Sequence, residues 1–160
     1  MLGTVGDCES TSSIGFTWSS AGVALTTDRI GGNYALSTTA SSSTAIFQID
    51  APNMVVNKYY FFSLYIKNPS TTVEINSSYS QYPTQWIQSV TMGANSGWTR
   101  VGIKFHTYGI SNMTLPRVGY NVPASKNVLM DNAMLMEITV DEYNGWSEQT
   151  LLSAYPYKNT

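Results

Sequence analysis

The chain contains one histidine, His106, and one cysteine, Cys8. Any Ser-His-Asp device must run through His106, and no Gly-x-Ser-x-Gly elbow presents a serine to it. His106 falls with Arg100 and Lys104 on the polar side of an alternating run whose other side is Val101, Ile103 and Phe105. That period places it on an outward strand face. Cys8 has no basic neighbour to stabilise a thiolate and reads as an inert core residue, and a lone cysteine forms no internal disulfide. One Cys and one His cannot complete a four-ligand zinc site. Glycoside hydrolysis needs two carboxylates across a cleft, and no motif groups the available Glu74, Asp50 and Glu137. Gly31-Gly32 lacks the Lys-Ser/Thr and the helix of a phosphate-binding loop. The chemistry-bearing residues therefore point away from an enzyme.

Two features point to binding instead. Asp131 follows the apolar run Val128-Leu129-Met130 in a chain with few acidic groups. A carboxylate among strand residues is costly unless it is paired or metal-bound. It can hold a cation, accept backbone N–H groups at a strand end, or pair with Arg117 or Lys126. The second feature is Tyr79-Ser80-Gln81-Tyr82-Pro83-Thr84-Gln85-Trp86, which carries three aromatics and two amides without a charge. Sugars stack their apolar faces on aromatic rings while amides and hydroxyls bond the rim, and rigid rings give contact area at low entropy cost. Tyr79, Gln81, Tyr82 and Trp86 are thus candidate ligand-binding residues. Tyr65 and Phe61 join them from the outward face of one strand, and Tyr108 and Tyr120 from adjoining strands. The alternative is that Trp86 is core and the tyrosines decorate a neutral surface.

These residues must be held by strands. Tyr60, Phe62, Leu64 and Ile66 alternate with Tyr59, Phe61, Ser63, Tyr65 and Lys67, a clear period of two. Trp98–Tyr108 repeats the pattern, and weaker runs cover Thr17–Leu25, Tyr34–Thr38, Thr44–Ile49, Val73–Ser78, Trp86–Met92, Arg117–Tyr120 and Val128–Glu137. Gly, Pro, Asn and Ser clusters separate them. About nine short strands predict an all-β fold, a two-sheet antiparallel β-sandwich of the jelly-roll type. Residues 1–140 form that domain. Residues 141–160 form a short C-terminal extension: Asp141–Trp146 reads as a turn, and Ser147 caps a short helix through Leu151, Leu152 and Tyr155 that Pro156 stops. Its apolar residues either pack back on the sandwich or dock on a neighbouring domain or subunit.

Composition narrows the partners. Charged residues make up 11% of the chain and the net charge is -2, with eight Lys+Arg against ten Asp+Glu. Aromatics at 12% argue against a disordered polyelectrolyte, and the absent basic surplus argues against nucleic acid. No apolar run is long enough to span a bilayer, so no membrane insertion is expected. The N-terminus lacks the basic region and long apolar core of a signal peptide.

Several segments carry a family resemblance. Val5-Gly6-Asp7-Cys8-Glu9-Ser10-Thr11 with Gly15-Phe16-Thr17-Trp18 resembles the Asn-Gly-x-Phe-Glu opening, soon followed by Gly-Trp, of the jelly-roll carbohydrate-binding modules attached to bacterial xylanases and cellulases (families 4, 9 and 22). Gly31-Gly32-Asn33-Tyr34-Ala35-Leu36 resembles their Gly-x-Tyr-Ser-Leu block. Tyr59 to Lys67 resembles their central strand, Trp98-Thr99-Arg100-Val101 with Phe105 their Trp-x-Arg…Phe strand, and Val128 to Leu135 their closing Ile-x-Ile-Asp-Asp-Val-x-Leu. Cys8 stands where the family has Phe, and Asn132 where it often has a second Asp. The phrase Asp131 to Glu137 looks most like versions found in phage tail proteins.

The resemblance implies a structural calcium joining the first strand to the last. Glu9 and Asp131 would supply carboxylates, and Asp7, Gly31 and Tyr34 backbone carbonyls, a hard-oxygen set suited to Ca²⁺. It further implies a non-catalytic domain that binds a polysaccharide or cell-surface glycan, displayed extracellularly or on a virion surface. The alternative is a structural virion decoration or adaptor protein that meets neighbouring virion subunits through the C-terminal tail.

Overall fold

The computed structural model of the chain describes residues 8–9, 16–18, 21–41, 45–50, 54–68, 73–78, 86–92, 95–107, 117–122 and 124–156. The alternating runs become ten strands: β1 (Phe16–Trp18), β2 (Ala21–Thr26), β3 (Ala35–Ala40), β4 (Ala45–Asp50), β5 (Tyr59–Asn68), β6 (Val73–Ser78), β7 (Trp86–Met92), β8 (Asn95–His106), β9 (Arg117–Val122) and β10 (Asn127–Ile138). They form two five-stranded sheets, ordered β1-β4-β9-β6-β7 (sheet A) and β2-β3-β10-β5-β8 (sheet B). Every pairing is antiparallel, as the sandwich reading requires. One expected run is divided. Thr17–Leu25 breaks into β1, which pairs with β4, and β2, which pairs with β3 in the other sheet.

The core follows from the period of two. On β5, Phe62, Leu64 and Ile66 are fully buried, opposite Ile103, Val101 and Thr99 of β8. Met130 of β10 sits between Ile66 and Leu36 in register. Burying each such side chain stabilises the fold by about 1.5–3 kcal/mol. Polar groups within this packing are answered: the Thr38 hydroxyl donates to the Val128 carbonyl at 2.7 Å, and the Thr107 hydroxyl donates to Val55 O at 2.8 Å while accepting from Lys58 N.

The other face of sheet B is covered by the C-terminal segment. The expected turn at Asp141–Trp146 is instead a helix, α1 (Val140–Gly145), because Thr139 and Glu142 close a reciprocal capping box on its first turn. Helix α2 (Glu148–Ala154) starts on Ser147, as its sequence predicts. Leu151 is fully buried and packs with Phe61 and Ile138, with Tyr59, Tyr143, Leu152 and Tyr155 around them. Phe61 therefore lies at 0% exposure beneath the helices, and is no part of an open binding face. His106 is outward on β8 as expected, stacked on Tyr59 with ring centroids 4.1 Å apart.

Edge strand β8 fastens both helix ends. Lys104 Nζ donates to the carbonyls of Tyr143 and Trp146, at 2.6 and 2.5 Å. The Arg100 guanidinium donates to Leu152 O at 2.8 Å and Tyr155 O at 2.6 Å, and to the buried Ser63 hydroxyl at 3.0 Å. Cations at helix C-termini satisfy carbonyls left without intrahelical partners and oppose the local negative dipole. The Tyr155 hydroxyl donates to Glu142 and ties the two helices to each other.

Gly102 makes room for this arrangement. A Cβ there would lie 2.6 Å from two carbons of the Phe61 ring. Gly102→Ala is expected to destabilise the chain by about 1–3 kcal/mol through overpacking. In a Leu151→Ala background, where the ring gains room, the same change should cost less, giving a measurable coupling in a double-mutant cycle by urea unfolding.

Candidate functional site

Asp131 stands at an interruption of β10. The register against β5 shifts between Asp131 and Met134, and Asn132 takes a left-handed φ of 49°. Such a bulge re-aims side chains at its start. Asp131 is wholly buried, and its Oδ2 accepts from the amides of Ile30 at 2.8 Å and Gly31 at 3.1 Å. The next amides of the same loop serve the second carboxylate: Glu9 Oε1 accepts from Asn33 N at 2.6 Å and Tyr34 N at 3.3 Å. Gly32, with φ 61°, turns the loop between these two pairs. A Cβ on Gly32 would lie 1.8 Å from Glu9 Oε1, so glycine is required both for the turn and for the approach. Two pairs of adjacent amides, one on each side of Gly32, thus meet two anions, in the manner of a backbone nest.

The two carboxylates respond differently. Burial raises the Asp131 pKa, and the negative charge of Glu9 raises it further, against the lowering by the Ile30, Gly31 and Asn132 amides. Burial also acts to raise Glu9, but the Asn33 and Tyr34 amides outweigh it, with help from the Arg29 charge, and hold Glu9 below its ordinary value. Asp131 Oδ1 is buried without a hydrogen-bond partner. An unanswered oxygen on a buried carboxylate beside a second carboxylate fits a hard cation.

The placement of the expected metal residues is mixed. Glu9 and Asp131 are brought to one loop. Gly31 and Tyr34 meet the carboxylates through their amide N–H groups, Gly31 at Asp131 and Tyr34 at Glu9, contacts that the resemblance did not include. Asp7 lies outside the described residues. Of the readings open for Asp131, backbone N–H groups are its described partners, and Lys126 makes no described contact with it. Among the described residues no three His, Cys, Asp or Glu side chains gather as a metal cluster. Cys8 is buried, with φ 59°, beside Glu9. Of the acidic candidates for catalysis, Glu137 pairs with Lys58 at 2.7 Å.

The expected aromatic site is divided. Tyr79, Gln81, Tyr82 and Tyr108 lie outside the described residues. Trp86 opens β7, an edge strand of sheet A, and pairs in register with Ser78. Tyr65 belongs to sheet B, where it is half-buried with the Arg100 guanidinium 5.9 Å from its ring centre. Tyr65 and Trp86 are therefore not brought together, since they stand in opposite sheets.

Sheet A instead assembles residues that were scattered in the sequence. Val122 is fully buried, and the positions sharing its parity are mostly apolar: Val118 and Tyr120 of β9, Phe47 and Ile49 of β4, and Ile75 of β6, in register as Phe47–Tyr120–Ile75–Val90. The opposite parity is polar and aromatic. One row reads Trp18–Ile46–Asn121–Glu74–Thr91 and the next Phe16–Gln48–Gly119–Asn76–Ser89, followed by Asp50–Arg117–Ser78, beyond which the register with β7 shifts. These rows share the parity opposite to that of buried Val122. Tyr120 falls on the core parity, away from the expected binding set. Gln48, Asn76, Asn121 and Trp18 went unnoticed in the sequence because each stands in a different weak run. Their common parity was the available signal, and only the register lines them up.

The chain resembles several solved structures. It matches the C-terminal family 22 carbohydrate-binding module of Clostridium thermocellum Xyn10B with a TM-score of 0.60 at 18% identity, over 76% of this chain and 83% of that one. An enzymatically active domain of bacteriophage CBA120 tailspike protein 4 matches with a TM-score of 0.58 at 11% identity, over 76% of this chain and 19% of that one. This chain thus spans about a fifth of the tailspike fragment. A cyclase from Fischerella sp. TAU, solved with 4-(1H-indol-3-yl)butan-2-one, matches with a TM-score of 0.55 at 11% identity, over 74% of each chain. No protein-family model and no curated sequence matches. The fold is that of the jelly-roll carbohydrate-binding modules, and the cyclase shows that this fold also occurs in enzymes.

The nest makes a direct prediction. Gly32→Ala combines a left-handed residue with a Cβ overlapping Glu9, and should cost about 1–3 kcal/mol. Urea unfolding monitored by tryptophan fluorescence measures it, and a cost below 0.5 kcal/mol (about the scatter of ordinary surface changes) would show that the Glu9 contact is dispensable.

Proposed function

We propose that this chain is a non-catalytic glycan-binding jelly-roll domain, displayed outside a cell or on a virion, that uses the polar face of sheet A. The observation carrying this reading is the register of sheet A, which gathers Trp18, Gln48, Asn76 and Asn121 on one parity across four strands. Amides both donate and accept, matching the hydroxyls of a sugar, and tryptophan offers a stacking surface. Gly119 stands between Gln48 and Asn76 in its row. The family 22 and family 4 modules supply the fold precedent, and the tailspike match supports the virion setting. No described helix is long and apolar enough to cross a membrane. The rival reading, docking of the C-terminal segment on a neighbouring virion subunit, is disfavoured by Leu151, which is fully buried against the chain's own Phe61.

The test is retention on immobilised polysaccharides. Replacing Gln48 and Asn76 together by Ala removes two hydrogen-bonding groups, each contributing about 1 kcal/mol, and should weaken retention at least tenfold with the melting temperature unchanged. If that double variant still binds, the site moves to the Tyr79–Trp86 connection, which Tyr79→Ala with Tyr82→Ala then tests.

We further propose that Glu9 and Asp131 hold a structural calcium ion, with Asp131 Oδ1 as one ligand. The ion would neutralise two carboxylates at the junction of the N-terminal segment, the 30–34 loop and β10; it has no step in ligand chemistry. At a concentration about 100-fold above its dissociation constant, calcium should raise the melting temperature by about 5–10 °C, and EDTA should reverse the rise. Sign matters for the variant. Because the folded pKa of Asp131 is raised, its ionised form weakens the metal-free fold as pH climbs above the ordinary carboxylate value. Asp131→Asn in EDTA should therefore be no less stable than the wild type at pH 7, yet show no calcium response. A calcium rise retained in Asp131→Asn would overturn the assignment.

A further inference from the structure

We infer that the β2 edge of sheet B pairs antiparallel with β2 of a second copy of this chain, about a two-fold axis at Ala24. Strand β2 (Ala21–Thr26) ends sheet B, and among the described residues no strand lies on its outer side. An edge strand presents a row of unpaired N–H and C=O groups, which proteins guard with charges, proline, bulges or a cover. The first three are missing here: the strand reads Ala-Gly-Val-Ala-Leu-Thr and pairs with β3 in unbroken register from Ala21–Ala40 to Thr26–Ala35. It is not covered either. Gly22, Ala24 and Leu25 are exposed, and a Cβ on Gly22 would meet no described atom within 4 Å. The opposite edge is guarded, since β8 carries Arg100 and Lys104, both engaged with the C-terminal helices.

Leu25 shows what the edge lacks. It stands opposite Leu36, and Val23 stands opposite Thr38. Leu36 and Thr38 are fully buried, and directly paired residues share a face, so Val23 and Leu25 belong to the core side of the sheet. Yet Leu25 is 40% exposed, because β2 is the last described strand of its sheet. A second copy supplies the next strand. A two-fold axis perpendicular to the sheet keeps core side with core side, which requires paired positions of one parity. Centred on Ala24, it sets Ala24 against Ala24, Val23 against Leu25 and Gly22 against Thr26. Every pair is uncharged and a methyl group sits on the axis. Each Leu25 gains an aliphatic neighbour at about 4.5–5.5 Å between Cβ atoms, where cross-strand pairs stabilise a sheet. A two-fold interface needs a patch that matches itself, and this match assigns the edge to a second copy rather than to a different chain.

A six-residue edge makes a small interface, so association should be weak and reversible. Sedimentation velocity of the full chain from about 5 to 500 µM should show a dimer fraction that rises with concentration. Ala24→Lys sets two ammonium groups against each other on the axis and should weaken association about tenfold, with the melting temperature of the dilute protein unchanged. A second variant reads the register. Ala24→Cys brings two thiols to directly paired positions, with Cα atoms about 4.5–5.5 Å apart and within disulfide reach, so mild oxidation should link the copies. Gly22→Cys should stay unlinked, because its two thiols would stand four residues, about 14 Å, apart along the strands. The native Cys8 is buried, and the oxidised wild type gives its background. A chain that is monomeric at every concentration overturns the pairing of copies. So does a dimer that survives Ala24→Lys, or one that Gly22→Cys links as readily as Ala24→Cys.

Discussion

A buried carboxylate has to be answered, and the way Asp131 is answered organises one end of the molecule. The side chain is wholly removed from water, so its charge must be met by groups that the fold brings from elsewhere. It is met by the amides of Ile30 and Gly31, about a hundred residues away in sequence. Their loop can present two donors on either side of Gly32 because that glycine adopts a left-handed conformation and lets Glu9 come close. One anion on the last strand, one on the N-terminal segment and one glycine turn therefore define each other. Displacing the loop leaves the Asp131 carboxylate without its donors in an interior that cannot hydrate it.

The same economy of donors governs the opposite end of sheet B. Phe61 alternates onto the outer face of its strand, where a large ring would be wet without a cover. The two C-terminal helices supply that cover, and each is too short to be stable alone. Their persistence comes from packing and from Arg100 and Lys104, which reach out of β8 to four carbonyls at the helix ends. Both covering elements among the described residues, the 30–34 loop and the helix pair, thus lie on sheet B. The polar and aromatic parity of β4, β6, β7 and β9 belongs to sheet A.

Much of this was legible in the residues themselves. Tyr59–Lys67 and Trp98–Tyr108 specify strands and their inward faces because period two survives a burial difference on every second residue. The Ser147 cap was legible because an N-cap is a local event. The helix at Val140–Gly145 was missed since its capping box lies across the strand end, where Thr139 and Glu142 look like turn residues. Tyr65 and Phe61 read as outward correctly, but outward on sheet B means beneath Arg100 or beneath Leu151. No local pattern tells which outward face a distant segment will cover. The amide role of Gly31 and Tyr34 was hidden for a related reason: a carboxylate's partners are chosen by loop conformation, and the sequence showed the glycines without showing which way their peptides turn.

Fold likeness at 11–18% identity settles the architecture and leaves function to the site. A module that binds glycans and a cyclase can share these two sheets, since the sandwich fixes only where alternate residues point. What separates them is the chemistry set on the outward parity. A catalytic site needs a group of shifted pKa poised over a substrate; the shifted groups described here are committed to structural contacts, Asp131 to the loop amides and Glu142 to Tyr155 and Thr139. The sheet A parity opposite to that of Val122 carries amides, hydroxyls and aromatic rings together with Glu74, Asp50 and Arg117. The two sheets are common to both classes of protein, so this set of residues, and not the sandwich, decides what the chain does.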